Sequence, residues 1–132
     1  MLSTPHKVLM IVEDESSLAK FLRTAFIQEG FSVISLDSGE GAIAEALSVH
    51  PSAILLDIML PGINGMNVLS KLRKDPWGKT VPVLILTNLA AGERIMGGII
   101  RDEPSYYIMK ANTSVEDIVA KVKSAIKSDS GS

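Results

Sequence analysis

The chain has 132 residues, and against a soft prior of about 150 per domain this predicts one compact domain. Apolar residues make up 46% and charged residues 21%, a globular composition and not a disordered one. Thirteen Lys+Arg against fifteen Asp+Glu leave a formal charge of −2, which argues against a basic surface for nucleic acid. With no cysteine, disulfides, thiol nucleophiles and thiolate metal sites are excluded. Nothing approaches the roughly eighteen consecutive apolar residues of a membrane span, and Met1–Lys7 is too short and polar for a signal peptide. The expectation is a cytoplasmic domain with no membrane or direct nucleic-acid partner.

In chain order, residues 1–6 read as a tail and Lys7–Val12 as a short, nearly all-apolar run. Leu18, Phe21, Leu22, Ala25 and Phe26 then recur at helical spacing, and Gly30 supplies a stop. Phe31–Leu36 is the second apolar run. Ser38 is an N-cap candidate for a helix carrying Ile43, Ala46 and Leu47. Ala53–Leu56 is the third run, followed by Met66, Leu69 and Leu72 on a helix ending near Asp75-Pro76. Val81–Leu86 is the fourth run. The next helix, over 92–101, is weakened by Gly97-Gly98, at roughly 1 kcal/mol per glycine against alanine. Tyr106–Met109 is the fifth run. Thr113-x-x-Glu116 reads as a capping box for a last helix with Val115, Ile118, Val119, Val122, Ala125 and Ile126 on one stripe. Residues 128–132 are small and polar, a tail or the start of a linker.

Runs of four to eight apolar residues without alternation fit strands buried on both faces. Alternation with helices predicts an α/β fold: a doubly wound, five-stranded parallel sheet, (βα)5 and flavodoxin-like, in strand order 2-1-3-4-5. The domain spans residues 7–127. In such a sheet ligands sit beyond the carboxyl ends of the strands. There the first run ends in Glu13-Asp14-Glu15, the third in Asp57, the fourth in Thr87-Asn88 and the fifth in Lys110. Carboxylates crowded at about 4 Å repel by roughly 4 kcal/mol at an effective dielectric of 20, so the cluster calls for a cation. Oxygen-only donors select a hard ion, Mg²⁺ or Mn²⁺. A divalent ion, a carboxylate, a hydroxyl and an ammonium together suit phosphoryl transfer.

These residues carry a resemblance. Val12-Glu13-Asp14-Glu15, the stretch Leu56-Asp57-Ile58-Met59-Leu60-Pro61-Gly62-Ile63-Asn64-Gly65, Thr87, and Tyr107-Ile108-Met109-Lys110 resemble the receiver domain of two-component response regulators, from about Lys7 to Lys127. The resemblance implies that Asp57 accepts a phosphoryl group from a histidine kinase or histidine phosphotransfer protein. It implies metal binding by Asp14, by Glu13 through water, by Asp57 and by the Met59 carbonyl. Lys110 matches the lysine that pairs with Asp57 and then with the phosphoryl group, Thr87 the hydroxyl that follows it, and Tyr107 the aromatic switch. Phosphorylation would change the surface of helix four, strand five and helix five, including Ile95, Ile99 and Tyr107. A homodimer or an output partner is expected there. The chain would be a regulatory switch and not an enzyme. The alternative is a pseudo-receiver that binds partners without phosphorylation, which predicts gaps among these residues.

Several positions depart from the family's pattern. Ala111 stands where proline usually follows the lysine, and a cis bond before a non-proline residue costs about 2.5–4 kcal/mol, so a trans Lys110–Ala111 bond is expected. Asn88 stands where a small residue is usual, and Asp102-Glu103-Pro104 replaces a small turn. Met59 and Leu89 are apolar and cannot orient an attacking water, so slow self-dephosphorylation is expected. A phosphatase reading is disfavoured, because Met59 stands where a second acid would serve the leaving group.

Overall fold

The computed structural model describes residues 7–87, 106–110 and 113–130. Five strands, β1 (Val8–Val12), β2 (Ser32–Leu36), β3 (Ala53–Asp57), β4 (Val83–Thr87) and β5 (Tyr106–Met109), form one sheet in the order β2-β1-β3-β4-β5. Every pairing is parallel, with Val12 opposite Leu36 and Leu56, and Thr87 opposite Met109. The described helices are α1 (Ser16–Gln28), α2 (Gly39–Val49), α3 (Gly65–Arg73) and a C-terminal helix (Val115–Ser130).

Period-2 alternation sorts the apolar strand residues onto two faces. Leu9, Ile11, Leu55, Leu84, Leu86 and Ile108 pack with Leu22 and Phe26 of α1 and with Ile118 and Val122 of the C-terminal helix. Met10, Val12, Ile54, Leu56, Val83 and Ile85 pack with Ala42 and Ala46 of α2 and with Val68, Leu69 and Leu72 of α3. Covering both faces explains why the runs are continuous and do not alternate with polar residues. β2 is the exception: at the sheet edge, Ser32 and Ser35 are exposed.

The caps follow the local sequence, with one shift. Ser38 Oγ accepts from the Gly41 N–H at 3.2 Å, and Asn64 Oδ1 from the Asn67 N–H at 3.0 Å. The C-terminal helix is capped by Ser114, whose Oγ accepts from the Asp117 N–H at 3.1 Å, and not by the expected Thr113–Glu116 pair. The box lies one residue later because the helix begins at Val115. Two stripe residues also differ from expectation. Phe21 is 66% exposed and Leu47 39% exposed, because each sits at the margin of a stripe whose centre, Leu22 and Phe26 or Ala42 and Ala46, fills the contact. His50 closes α2 in a left-handed conformation (φ 55°) and stacks on Trp77 with centroids 4.4 Å apart. The expected helix over 92–101, the 102–104 turn, Asn88, Leu89 and the Lys110–Ala111 bond lie outside the described residues.

One glycine fixes where α3 meets β3. A Cβ on Gly65 would collide with the Asp57 carbonyl oxygen and stand 2.8 Å from the Ile58 Cα. Gly65→Ala is therefore expected to destabilise the fold by about 1–3 kcal/mol through overpacking against backbone. Gly30 has a positive φ of 94° but open space around it, so Gly30→Ala should cost about 1–2 kcal/mol from conformation alone. Urea denaturation of Gly65→Ala beside Gly30→Ala measures the two effects side by side. No loss of stability in Gly65→Ala would contradict a close backbone approach at this position.

Candidate functional site

Asp57 ends β3 and is 2% exposed. Both of its carboxylate oxygens are engaged: Oδ1 accepts the Met59 N–H at 3.0 Å and Oδ2 lies 3.0 Å from Lys110 Nζ. The loop beyond it is pinned by backbone bonds from Ile58 to the Leu86 carbonyl and from Gly65 to the Ile58 carbonyl. The close approach of Gly65 thus holds the α3 end of this loop against the strand that carries Asp57.

Glu13 directly follows β1, and its N–H extends the pairing by donating to the Leu36 carbonyl at 3.0 Å. Its side chain is buried at 3% exposure, with Oε2 accepting the Glu15 N–H at 3.1 Å. Oε1 lies 3.2 Å from Lys110 Nζ and, among the described residues, is buried with charge compensation but no hydrogen-bond partner. Asp14 is exposed, and Glu13, Asp14 and Asp57 present carboxylate oxygens all within 4.8 Å of one another. Lys110 follows β5 and bridges the cluster's two buried acids, Asp57 and Glu13.

Burial pushes the Glu13 carboxyl up to about 7, reinforced by the neighbouring Asp57 charge and opposed by the Glu15 N–H and Lys110. For Lys110, burial works against the charged form, but the hydrogen bond and charge of Asp57, then Glu13, win and raise its pKa. The cluster therefore holds more negative charge than one ammonium neutralises. Its donor set of carboxylate oxygens, with the under-satisfied Glu13 Oε1, fits a hard divalent cation.

The structure brings Glu13, Asp14, Asp57 and Lys110 together on one rim. Thr87 closes β4 beside Met109, and its hydroxyl lies outside what the structure describes. Tyr107 packs on the α2–α3 side of the sheet, its hydroxyl buried without a partner among the described residues, and burial raises its pKa. Met59 is 57% exposed, an apolar side chain beside the acids. Sequence reasoning missed a cleft of about 490 Å³ that runs from Glu13 and Asp14 to Lys20 and Arg23 of α1 and to Ser35 and Asp37. The i, i+3 spacing of Lys20 and Arg23 was the available signal.

Because the Glu13 carboxyl is at about 7 in the folded chain against the ordinary 4.5, the folded state binds the proton more tightly between these values. Stability of the metal-free protein from this group is fully present below pH 4.5 and lost as pH rises to about 7. Glu13→Gln should remove that loss, so the variant becomes more stable relative to the parent at pH 8 than at pH 5. Urea denaturation in chelator at both values checks this, and a gap that does not widen with pH contradicts it. The contribution of Lys110 runs the same way at higher pH: it is intact below 10.5 and is lost only through its raised pKa.

The model of the response regulator receiver domain family matches residues 9–123. A Mycobacterium tuberculosis protein named "Probable transcriptional regulatory protein TcrX" is 32% identical over 119 residues, covering 90% of this chain and 49% of that protein. Response regulator ArlR of Staphylococcus aureus is 28% identical over 119 residues, covering 90% of this chain and 52% of its own length. The chain thus spans about half the length of the curated relatives it matches. Its fold is similar to the receiver domain of the sensor histidine kinase PA1611 from Pseudomonas aeruginosa PAO1, a crystal structure with a magnesium ion coordinated in the active site cleft. That similarity has a TM-score of 0.83 at 20% identity and covers 92% of this chain and 98% of the other. The chain belongs to the response regulator receiver domain family of two-component signalling.

Proposed function

We propose that residues 7–127 form a phosphorylation-dependent switch in which Asp57 accepts a phosphoryl group from the phosphohistidine of a histidine kinase or a histidine phosphotransfer protein. The observation that carries this is the Asp57 carboxylate itself. It is buried, aligned by the Met59 N–H and the Lys110 ammonium, and set beside two further acids. An Asp57 oxygen forms a bond to phosphorus as the bond from the donor imidazole nitrogen breaks, leaving imidazole and an aspartyl phosphate.

Asp14, Asp57, the Met59 carbonyl and Glu13, the last through water, would hold Mg²⁺, with Mn²⁺ as a substitute. When bound, the ion neutralises charge on the phosphoryl oxygens. The magnesium in the PA1611 receiver supports this assignment. Lys110 stabilises the carboxylate before transfer and the phosphoryl group after it. Thr87 then binds the phosphoryl group and Tyr107 moves with it, changing the surface of the fourth helix, β5 and the C-terminal helix. An output segment or partner, or a second copy of the chain, reads that surface. The names of the relatives, one of them for transcriptional regulation, support a signalling role, and we assign the protein to the cytoplasm as a regulator and not an enzyme. Among the described residues, no helix is long and apolar enough to cross a membrane. A pseudo-receiver would lack some of these groups, and Glu13, Asp14, Asp57 and Lys110 are all present.

Incubation with acetyl phosphate followed by intact-mass measurement tests the reading. One added phosphoryl group is expected, dependent on both Mg²⁺ and Asp57 and absent in Asp57→Asn. Because Met59 and Leu89 cannot orient water, the adduct should persist for minutes or longer. No adduct, and no binding of a beryllofluoride mimic, would favour the pseudo-receiver. An adduct lost within seconds would contradict the role given to Met59 and Leu89.

A further inference from the structure

At the opposite ends of the strands lies a second cavity, of about 330 Å³, lined by Lys7, Glu29, Phe31, Lys123, Ile126 and Lys127. Lys7 immediately precedes β1 and Phe31 precedes β2, whereas the acid cluster follows β1 and β3, so the two sites occupy opposite rims of the sheet. Phe31 and Ile126 are each 7% exposed and give the cavity an apolar floor. Phe31 packs edge-to-face on Phe26, centroids 5.3 Å apart, which ties the floor to the core beneath α1.

The rim is cationic. Lys123 is committed to an ion pair with Glu29, which cancels both charges. Lys7 and Lys127 are exposed, and no carboxylate other than Glu29 lines the cavity among the described residues. A pocket of this volume with an apolar base and a few convergent charged groups has the form of a small-molecule site.

We propose that this cavity binds a small amphipathic carboxylate. The carboxylate would lie between Lys7 and Lys127, and the alkyl or aryl body against Phe31 and Ile126. Charge complementarity selects the anion, and the apolar floor selects the body over a simple inorganic ion. The site uses none of the residues assigned to phosphoryl transfer, so its occupancy is separable from that chemistry. Because it joins the end of α1 to the last turns of the C-terminal helix, a bound ligand also cross-links two elements on one face of the sheet.

Octanoate is the probe, titrated into the full chain with amide chemical shifts followed by NMR, beside acetate and octylammonium. Saturable shifts at Phe31, Lys123 and Lys127 with octanoate, at least tenfold weaker with either control, are expected. The double reversal Lys7→Glu with Lys127→Glu, its fold checked by circular dichroism, should weaken octanoate at least tenfold. Should that variant not fold, Lys7→Gln with Lys127→Gln serves, with a smaller loss in the same direction. Non-saturable shifts, equal binding of octylammonium, or unchanged binding in the lysine variants would overturn the proposal.

Discussion

The ammonium of Lys110 is the charge on which the acidic rim depends. It stands 3.0 Å from Asp57 Oδ2 and 3.2 Å from Glu13 Oε1, and both acids are almost completely buried. Two carboxylates withdrawn from water and facing one another are costly unless a cation is shared between them. One ammonium shared between two acids leaves a deficit: burial, reinforced by Asp57, displaces the Glu13 pKa upward, and the two acids together raise the pKa of the Lys110 ammonium. The same deficit suits the site to a divalent ion, and Asp14 offers a further carboxylate oxygen at the solvent edge. Removing Lys110 would leave both acids uncompensated.

The sheet supplies the geometry for this arrangement. Parallel pairing brings the carboxyl ends of β1, β3 and β5 to one rim, so Glu13, Asp57 and Lys110 meet although they are far apart in sequence. Burial of both sheet faces holds the strands in register, because a one-residue slip would exchange the residues packed on α1 for those packed on α2 and α3. Gly65 completes the frame by letting backbone meet backbone beside Asp57.

Much of this was legible in the sequence because the continuous apolar runs have a single good explanation, strands covered on both faces, and because polar residues ending those runs must share a rim. Other features depend on where neighbouring side chains fall. Glu13 and Asp14 are adjacent acids in sequence, yet only Glu13 turns inward, since its backbone continues the pairing with β2 before the chain leaves the sheet. Phe21 and Leu47 fit helical stripes but lie at their margins, where packing and not periodicity decides burial. Ser114 and Thr113 are both good caps, and the start of the helix selects between them. The left-handed His50 carried no local signal of glycine type, because its stack on Trp77 is a contact between distant segments.

An acid cluster that holds more negative charge than Lys110 neutralises is fitted to take a divalent cation. Titrating Mg²⁺ into chelator-treated protein while following amide shifts at Glu13, Asp14 and Met59 tests it most directly. Saturable shifts at these positions are expected, with tighter binding at pH 8 than at pH 6 as the Glu13 carboxyl gives up its proton. Absence of saturable shifts, or an affinity unaffected by Asp14→Asn and Asp57→Asn, would contradict it.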